Sequence, residues 1–189
     1  MVKPFNFNIE STLSFSMLCK ANGLNNFLLL CNYLKNVPYG RTADRSKYLS
    51  VLTENKGTCS TKHAFLKQVA IENKQDTVQL FIGIYKMNEA NTKGVGNVLK
   101  QYNLEYIPEA HTYLKVNGVI LDITRTLVSK ESFNNKLLLE TEIQPKGIGD
   151  YKIQIHQNYL KQWLLDEKLT YTLDAIWNIR ELCIYALSK

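Results

Sequence analysis

The sequence predicts an α+β fold, and three patterns along its 189 residues support that class. Apolar residues at helical spacing dominate the first third and the C-terminal end of the chain. Between them, residues Val78 to Tyr85 alternate with a period of two, which is typical of a β-strand. The pair Asn117-Gly118 then predicts a tight β-hairpin. We therefore expect helices before and after a sheet-forming region of the chain.

The composition is that of an ordinary folded domain. Hydrophobic residues make up 45% of the chain and charged residues 21%, which permits a sizeable core and excludes a disordered tail. The net charge of +6 is scattered rather than clustered, which argues against a nucleic-acid partner. No apolar stretch reaches the roughly 18 residues that a membrane-spanning helix needs. Four widely spaced cysteines without a CxxC pair indicate reduced thiols. We therefore expect a cytoplasmic protein without a membrane partner.

The N-terminal helices are expected over about residues 9–37. The first helix carries an apolar stripe at helical spacing, formed by Ile9, Leu13 and Met17. Gly23 is placed to end it, and a second apolar segment begins at Leu24. This second helix should end before Pro38, because the residue before a proline disfavours helical backbone angles. A further short helix is expected around residues 48–52.

The next helix is predicted to begin at about Thr58 and to end at about Asn73. Its apolar residues cover more than one face, so we expect it to be largely buried. Cys59 falls in its first turn, where unpaired N–H groups and the helix dipole favour a thiolate. Gly57 allows close backbone approach there, so a backbone N–H can face a developing oxyanion. A small buried core cysteine is the structural alternative.

The hairpin allows its register to be predicted. With Asn117-Gly118 as the turn, the pairs on one apolar face are Val116 with Val119, Leu114 with Leu121 and Thr112 with Ile123. The opposite face carries His111, Tyr113, Lys115, Ile120, Asp122 and Thr124. His111 and Asp122 are diagonal neighbours, about 7–8 Å apart at the backbone, so their side chains can share a hydrogen bond. The alternative is a surface pair on a half-exposed sheet.

The C-terminal part of the chain supplies the remaining elements. A strand is predicted over Leu137 to Ile143, and two amphipathic helices over about residues 152–188. Trp163 and Trp177 are expected to pack these helices into the core, and His156 is expected at the surface. With the N-terminal helices, they should flank a central region of about residues 39–125 in a single domain of residues 1–189.

Three motifs occur in order along that central region. They are Gly57-Thr58-Cys59 at a helix start, a strand that begins with His111, and Asp122-Ile123-Thr124 on the next strand. Their order and context resemble the transglutaminase-like superfamily, which is related in architecture to papain-like cysteine proteases. The resemblance implies a central helix with Cys59 at its N-terminus, packed on an antiparallel sheet that carries His111 and Asp122.

The resemblance also implies a role for each matched residue. Cys59 would be the nucleophile, His111 the general base and then acid, and Asp122 the group that fixes the His111 tautomer. Tyr39 and Asn55 are the candidates for a side chain that stabilises the oxyanion. The substrate would be an amide or isopeptide carbonyl of a peptide, a protein or a small molecule. The acyl group of the resulting thioester would pass to water or to an amine, and no cofactor is implied.

Three alternatives to this assignment concern the identity of the base, a metal site and the loss of catalysis. His63 lies on the same helical face as Cys59, but a partner on the same helix lies beside the thiol rather than across a cleft. We expect His63 to be buried and hydrogen-bonded instead. No CxxC or HExxH spacing supports a metal site. The second function hypothesis is a catalytically silent scaffold of the same type that acts as a binding or assembly module.

Overall fold

The α+β class is confirmed by the structure, a computed structural model that describes residues 5–124 and 132–187. Its helices are α1 (Ser14–Ala21), α2 (Phe27–Asn36), α3 (Ser50–Thr53), α4 (Cys59–Glu72), α5 (Gly96–Gln101), α6 (Asp150–Asp166) and α7 (Leu173–Ala186). Its strands are β1 (Val78–Met87), β2 (Ile107–Val116), β3 (Val119–Leu121) and β4 (Leu137–Ile143). The strands form one sheet in the order β3-β2-β1-β4.

The described residues divide into two compact units. Unit 1 contains residues 5–81, 112–124 and 142–149, and unit 2 contains residues 82–111, 132–141 and 150–187. The single-domain organisation expected from the sequence stays a prediction. None of the helices in the described part of the chain is both long and apolar enough to cross a membrane.

Helix α4 is the centre of unit 1. Thr58 caps its N-terminus and Asn73 follows its last residue, so the predicted bounds are confirmed. The helix contacts α1, α2, α3 and the 3₁₀ turn Pro145–Ile148, which leaves it no solvent-facing polar side. As a result even Lys62 and Lys67 are buried along with its apolar residues.

The predicted start of the first helix is wrong. Ile9 is buried in an extended segment, and α1 begins only at Ser14. The Glu72 carboxylate accepts hydrogen bonds from the backbone N–H groups of Phe15 and Ser16, at 3.2 and 2.7 Å. A carboxylate at this position satisfies N–H groups that the first helical turn leaves unpaired, which fixes where the helix begins. Helix α2 ends before the proline, as expected.

The hairpin has the predicted register. Its three backbone pairs are Leu114 with Leu121, Lys115 with Ile120 and Val116 with Val119. Asn117 and Gly118 have φ values of +51° and +79°, as a type I′ turn requires. Strand β3 ends at Leu121, so Asp122 lies in the loop after the strand. The predicted pair of Thr112 with Ile123 lies beyond Leu121 and is therefore not part of this ladder.

The two faces of the hairpin differ from the expectation. Val119 is 70% exposed, because it sits beside the turn at the tip, so the apolar face is not buried along its whole length. Tyr113 on the other face is fully buried and stacks on Phe81, with the ring centroids 6.2 Å apart. The Lys115 ammonium lies 4.5 Å from the centroid of the same Phe81 ring. This face is therefore packed and is not an open polar surface.

Unit 2 has its own core between α5, α6 and α7. Trp163 belongs to this core and donates a hydrogen bond from Nε1 to the Tyr106 hydroxyl at 2.9 Å. The expected surface position of His156 is wrong, because its ring is buried and Nε2 lies 2.8 Å from the Pro108 carbonyl oxygen. His156 precedes Leu160 by four residues, so it belongs to the inward stripe of α6.

Candidate functional site

Cys59 is the first residue of α4, directly after a reciprocal cap. The Thr58 side chain accepts from the backbone N–H of Thr61, and Thr61 Oγ1 accepts from the backbone N–H of Thr58 at 2.9 Å. Such a capping box satisfies two N–H groups and fixes the helix start. The remaining first-turn N–H groups and the helix dipole favour negative charge at this position. Cys59 itself is 8% exposed.

The loop before Cys59 is held by a neighbouring extended segment. The backbone N–H of Gly57 donates to the Pro38 carbonyl at 3.0 Å, and Gly40 donates to the Gly57 carbonyl at 3.2 Å. These bonds form a parallel bridge between Tyr39 and Gly57. Of the two oxyanion candidates, Tyr39 thus has its backbone beside the loop that leads to Cys59. Asn55 lies in an exposed turn with φ of +48°.

The other three cysteines lie away from a helix N-terminus and are poor nucleophiles. Burial, with the Glu72 charge, raises the pKa of Cys19 to about 12, and burial alone raises the pKa of Cys31 to about 12. Burial together with the charge of Glu109 raises the pKa of Cys183 to about 11. A thiol must ionise to attack a carbonyl, so these three are unsuited to nucleophilic catalysis near neutral pH.

His63 is fully buried in the first half of α4, as expected, and both ring nitrogens are engaged. Nδ1 lies 2.8 Å from the carbonyl oxygen of Cys59, and the backbone N–H of Ile123 donates to Nε2 at 2.9 Å. A backbone N–H can only donate, so Nε2 carries no proton in this arrangement. The proton is therefore on Nδ1, which donates to the Cys59 carbonyl, and the ring is neutral.

Asp122 sits next to His63 in the loop after β3. Its Oδ1 accepts hydrogen bonds from the backbone N–H of Thr124 at 2.9 Å and from the Thr124 hydroxyl at 2.5 Å. The same oxygen lies 3.6 Å from His63 Nε2. The Asp-Ile-Thr motif thus forms a local turn that is typical of aspartate, and this turn lies against the first half of α4.

Lys62 attaches two loops to the same part of α4. Its side chain is fully buried, and Nζ donates to the Val37 carbonyl at 2.6 Å and to the Thr124 carbonyl at 3.3 Å. It thereby connects the segment before Tyr39 and the end of the Asp122 turn to the helix. Sequence reasoning missed this role. The available signal was a helix with apolar residues on more than one face, which leaves no open side for a lysine.

His111 belongs to unit 2 and is partly exposed. Its ring makes edge-on contacts with the rings of Phe133 and Tyr85, at centroid distances of 4.7 and 6.2 Å. The next residue along β2, Thr112, belongs to unit 1, where its Oγ1 lies 3.2 Å from Ser60 Oγ. The placement of His111 relative to Cys59 and Asp122 stays a prediction.

The chain was compared with protein-family models, with curated proteins and with solved structures, and none of them matches it. Among the described residues, no three His, Cys, Asp or Glu side chains are grouped in a way that could hold a metal ion. The resemblance to transglutaminase-like proteins therefore rests on the order of the three motifs around Cys59, His111 and Asp122 in the sequence. Two of their expected contexts are wrong, because β2 begins at Ile107 and not at His111, and Asp122 follows β3 and is not part of a strand.

Proposed function

We propose that the protein is a cysteine-dependent enzyme that hydrolyses or transfers acyl groups at an amide or isopeptide carbonyl. The observation that carries this proposal is the position of Cys59 as the first residue of a capped helix, with the Asp122 turn held against the same helix. A helix N-terminus stabilises both a thiolate and the oxyanion that forms when the thiolate attacks.

The proposed reaction runs through a thioester. His111 first takes the proton of the Cys59 thiol as general base. The resulting thiolate attacks the carbonyl carbon, and the carbonyl electron pair moves onto oxygen to give a tetrahedral intermediate. This intermediate collapses, the C–N bond breaks, and His111 gives a proton to the leaving amine. Water or a second amine then attacks the thioester and gives a proton to His111. The Cys59 thiolate leaves and regains that proton from His111, which restores the starting state. Asp122 keeps His111 in the required tautomer.

The choice of His111 as the base is supported by what the other two histidines do. His63 uses Nδ1 as a donor to the Cys59 carbonyl and Nε2 as an acceptor from Ile123, so it has no nitrogen left for proton transfer. His156 is buried in unit 2, where burial lowers its pKa. His111 is partly exposed, and it enters the proposal through the motif order in the sequence.

The proposal is tested with a thiol-directed probe that mimics an amide, such as a peptidyl vinyl sulfone, followed by intact-protein mass spectrometry. The wild-type protein should gain one probe, and Cys59→Ala should gain none. Cys183→Ala is the matched control, because it removes a buried thiol from α7 and should leave labelling unchanged. His111→Ala should slow the labelling of Cys59 strongly.

Two results would contradict the proposal. Labelling that persists in Cys59→Ala would show that Cys59 is not the nucleophile. Labelling of Cys59 at the rate of an ordinary thiol, with no effect of His111→Ala, would favour the catalytically silent binding module.

A further inference from the structure

His63 makes two specific hydrogen bonds inside unit 1 that the proposed reaction does not use. Its ring is fully buried, and its two nitrogens connect the first residue of α4 to the loop after β3. His63 and Ile123 are 60 residues apart in the sequence. A buried imidazole with two directed bonds is more specific than packing alone requires, because an apolar side chain would fill the same space.

The loop that carries Asp122 depends on this contact. Strand β3 ends at Leu121, so the backbone ladder of the hairpin does not fix the residues that follow. The turn from Asp122 to Thr124 orders those residues relative to each other. Two bonds then fix the turn relative to α4. Lys62 Nζ donates to the Thr124 carbonyl at the end of the turn, at 3.3 Å, and the Ile123 N–H donates to His63 Nε2 at its centre, at the shorter distance of 2.9 Å.

We propose that His63 is a positioning residue that holds the Asp122 carboxylate in place for catalysis, an inference that rests on the proposed function. Its action requires the neutral tautomer with the proton on Nδ1. The donor bond to the Cys59 carbonyl selects that tautomer and leaves Nε2 as the acceptor that Ile123 needs. The helix that carries the nucleophile thus also positions the carboxylate.

Three substitutions at this position separate the acceptor from the rest of the ring. His63→Leu fills the space but removes both polar atoms. His63→Asn keeps a donor near the Cys59 carbonyl but is too short to reach Ile123. His63→Gln reaches Ile123 with an acceptor oxygen. Lys67→Met is the matched control, because Lys67 is a buried cation on the same helix whose Nζ bonds the Val78 carbonyl at 2.6 Å, away from the Asp122 turn.

The measurement is the rate of Cys59 labelling by the amide-mimic probe as a function of pH, together with urea unfolding of each variant. His63→Leu and His63→Asn should slow labelling by about 10²-fold, the cost of a misplacement of about 1 Å in a catalytic group. Their pH profiles should match that of Asp122→Asn. His63→Gln should recover most of the rate, and Lys67→Met should lose stability while keeping the wild-type profile.

The outcomes distinguish this inference from the proposed function. If Asp122→Asn changes the labelling profile but His63→Asn does not, His63 is only structural and the inference is overturned while the proposed function stands. If neither His111→Ala nor Asp122→Asn affects Cys59, the proposed function itself fails. Should His63→Leu not fold, the comparison of the Asn and Gln variants decides, and equal rates in those two would also overturn the inference.

Discussion

The buried ion pair of unit 2 leads to a prediction about the sign of a pH dependence. Arg180 on α7 donates from Nε and Nη2 to the two carboxylate oxygens of Glu109 on β2, at 2.7 and 2.6 Å. Both side chains are nearly buried, at 12% and 8% exposure. Burial by itself raises the pKa of Glu109, but the Arg180 charge and its hydrogen bonds lower it, and the net result is a decrease from 4.5 to about 2.

This lowered pKa has a defined energetic consequence. A carboxyl with a lower pKa in the folded state stabilises the fold above its unfolded pKa, and the contribution is lost as the pH falls through the folded value. For Glu109 the window therefore runs from about pH 4.5 down to about pH 2. At about 1.4 kcal/mol for each pH unit, the contribution to the free energy of unfolding is about 3 kcal/mol.

Arg180→Met should reverse the sign of this dependence. The variant leaves Glu109 buried without its cation, so burial dominates and the pKa of Glu109 rises above its ordinary value. The contribution of Glu109 to the free energy of unfolding then decreases as the pH rises from about 4.5 through the raised pKa of Glu109. At pH 7 the variant should lose about 3–5 kcal/mol of unfolding free energy, the usual cost of an uncompensated buried charge.

Urea unfolding between pH 3 and pH 7 measures the effect. The double variant Glu109→Gln/Arg180→Met is the control, because it removes the titrating carboxyl and leaves all other groups in place. As the pH rises, the free energy of unfolding of the single variant should fall relative to that of the double variant. If the single variant instead gains stability relative to the double variant with rising pH, the buried pair does not control the ionisation of Glu109.

Two glycines lead to further predictions that the same unfolding assay checks. Gly57→Ala should lower the free energy of unfolding by about 1–3 kcal/mol, because the added Cβ would lie 3.0 Å from Lys62 Cγ and 3.2 Å from Val51 Cγ2; a neutral result would contradict this close packing. Gly118→Ala should cost about 1 kcal/mol, since its φ of +79° strains any other residue although the space around it is open.

The elements with local signals were predictable from the sequence. The cap at Thr58 and the stop at Asn73 are contained within α4 and its flanking residues, so the helix bounds follow from nearby residues alone. The same holds for the Asn117-Gly118 turn, whose backbone angles select the hairpin register. Because the position of Cys59 depends only on the first of these signals, its place at a helix N-terminus could be predicted as well.

The features that depend on distant residues could not be predicted. The start of α1 is set by Glu72, and the buried position of His156 is set by a bond to Pro108 on another element. Likewise, Lys62 finds its carbonyl partners at Val37 and Thr124, both far away in sequence. His156 and Lys62 are polar side chains in their own segments, and only the folded chain supplies the partners that make their burial possible.

The loop position of Asp122 shows where a prediction from strand alternation stops applying. Extending the hairpin register past Leu121 would place the carboxylate by the alternation of a strand. The side chain instead bonds the backbone and hydroxyl of Thr124, and such local bonds compete with a ladder and end it. Once the ladder has ended, strand alternation no longer fixes the direction of the side chains. The bond from the Ile123 N–H to His63 Nε2 instead holds the turn against α4. The position of the Asp122 turn therefore depends on its contacts with α4 and not on the length of the hairpin.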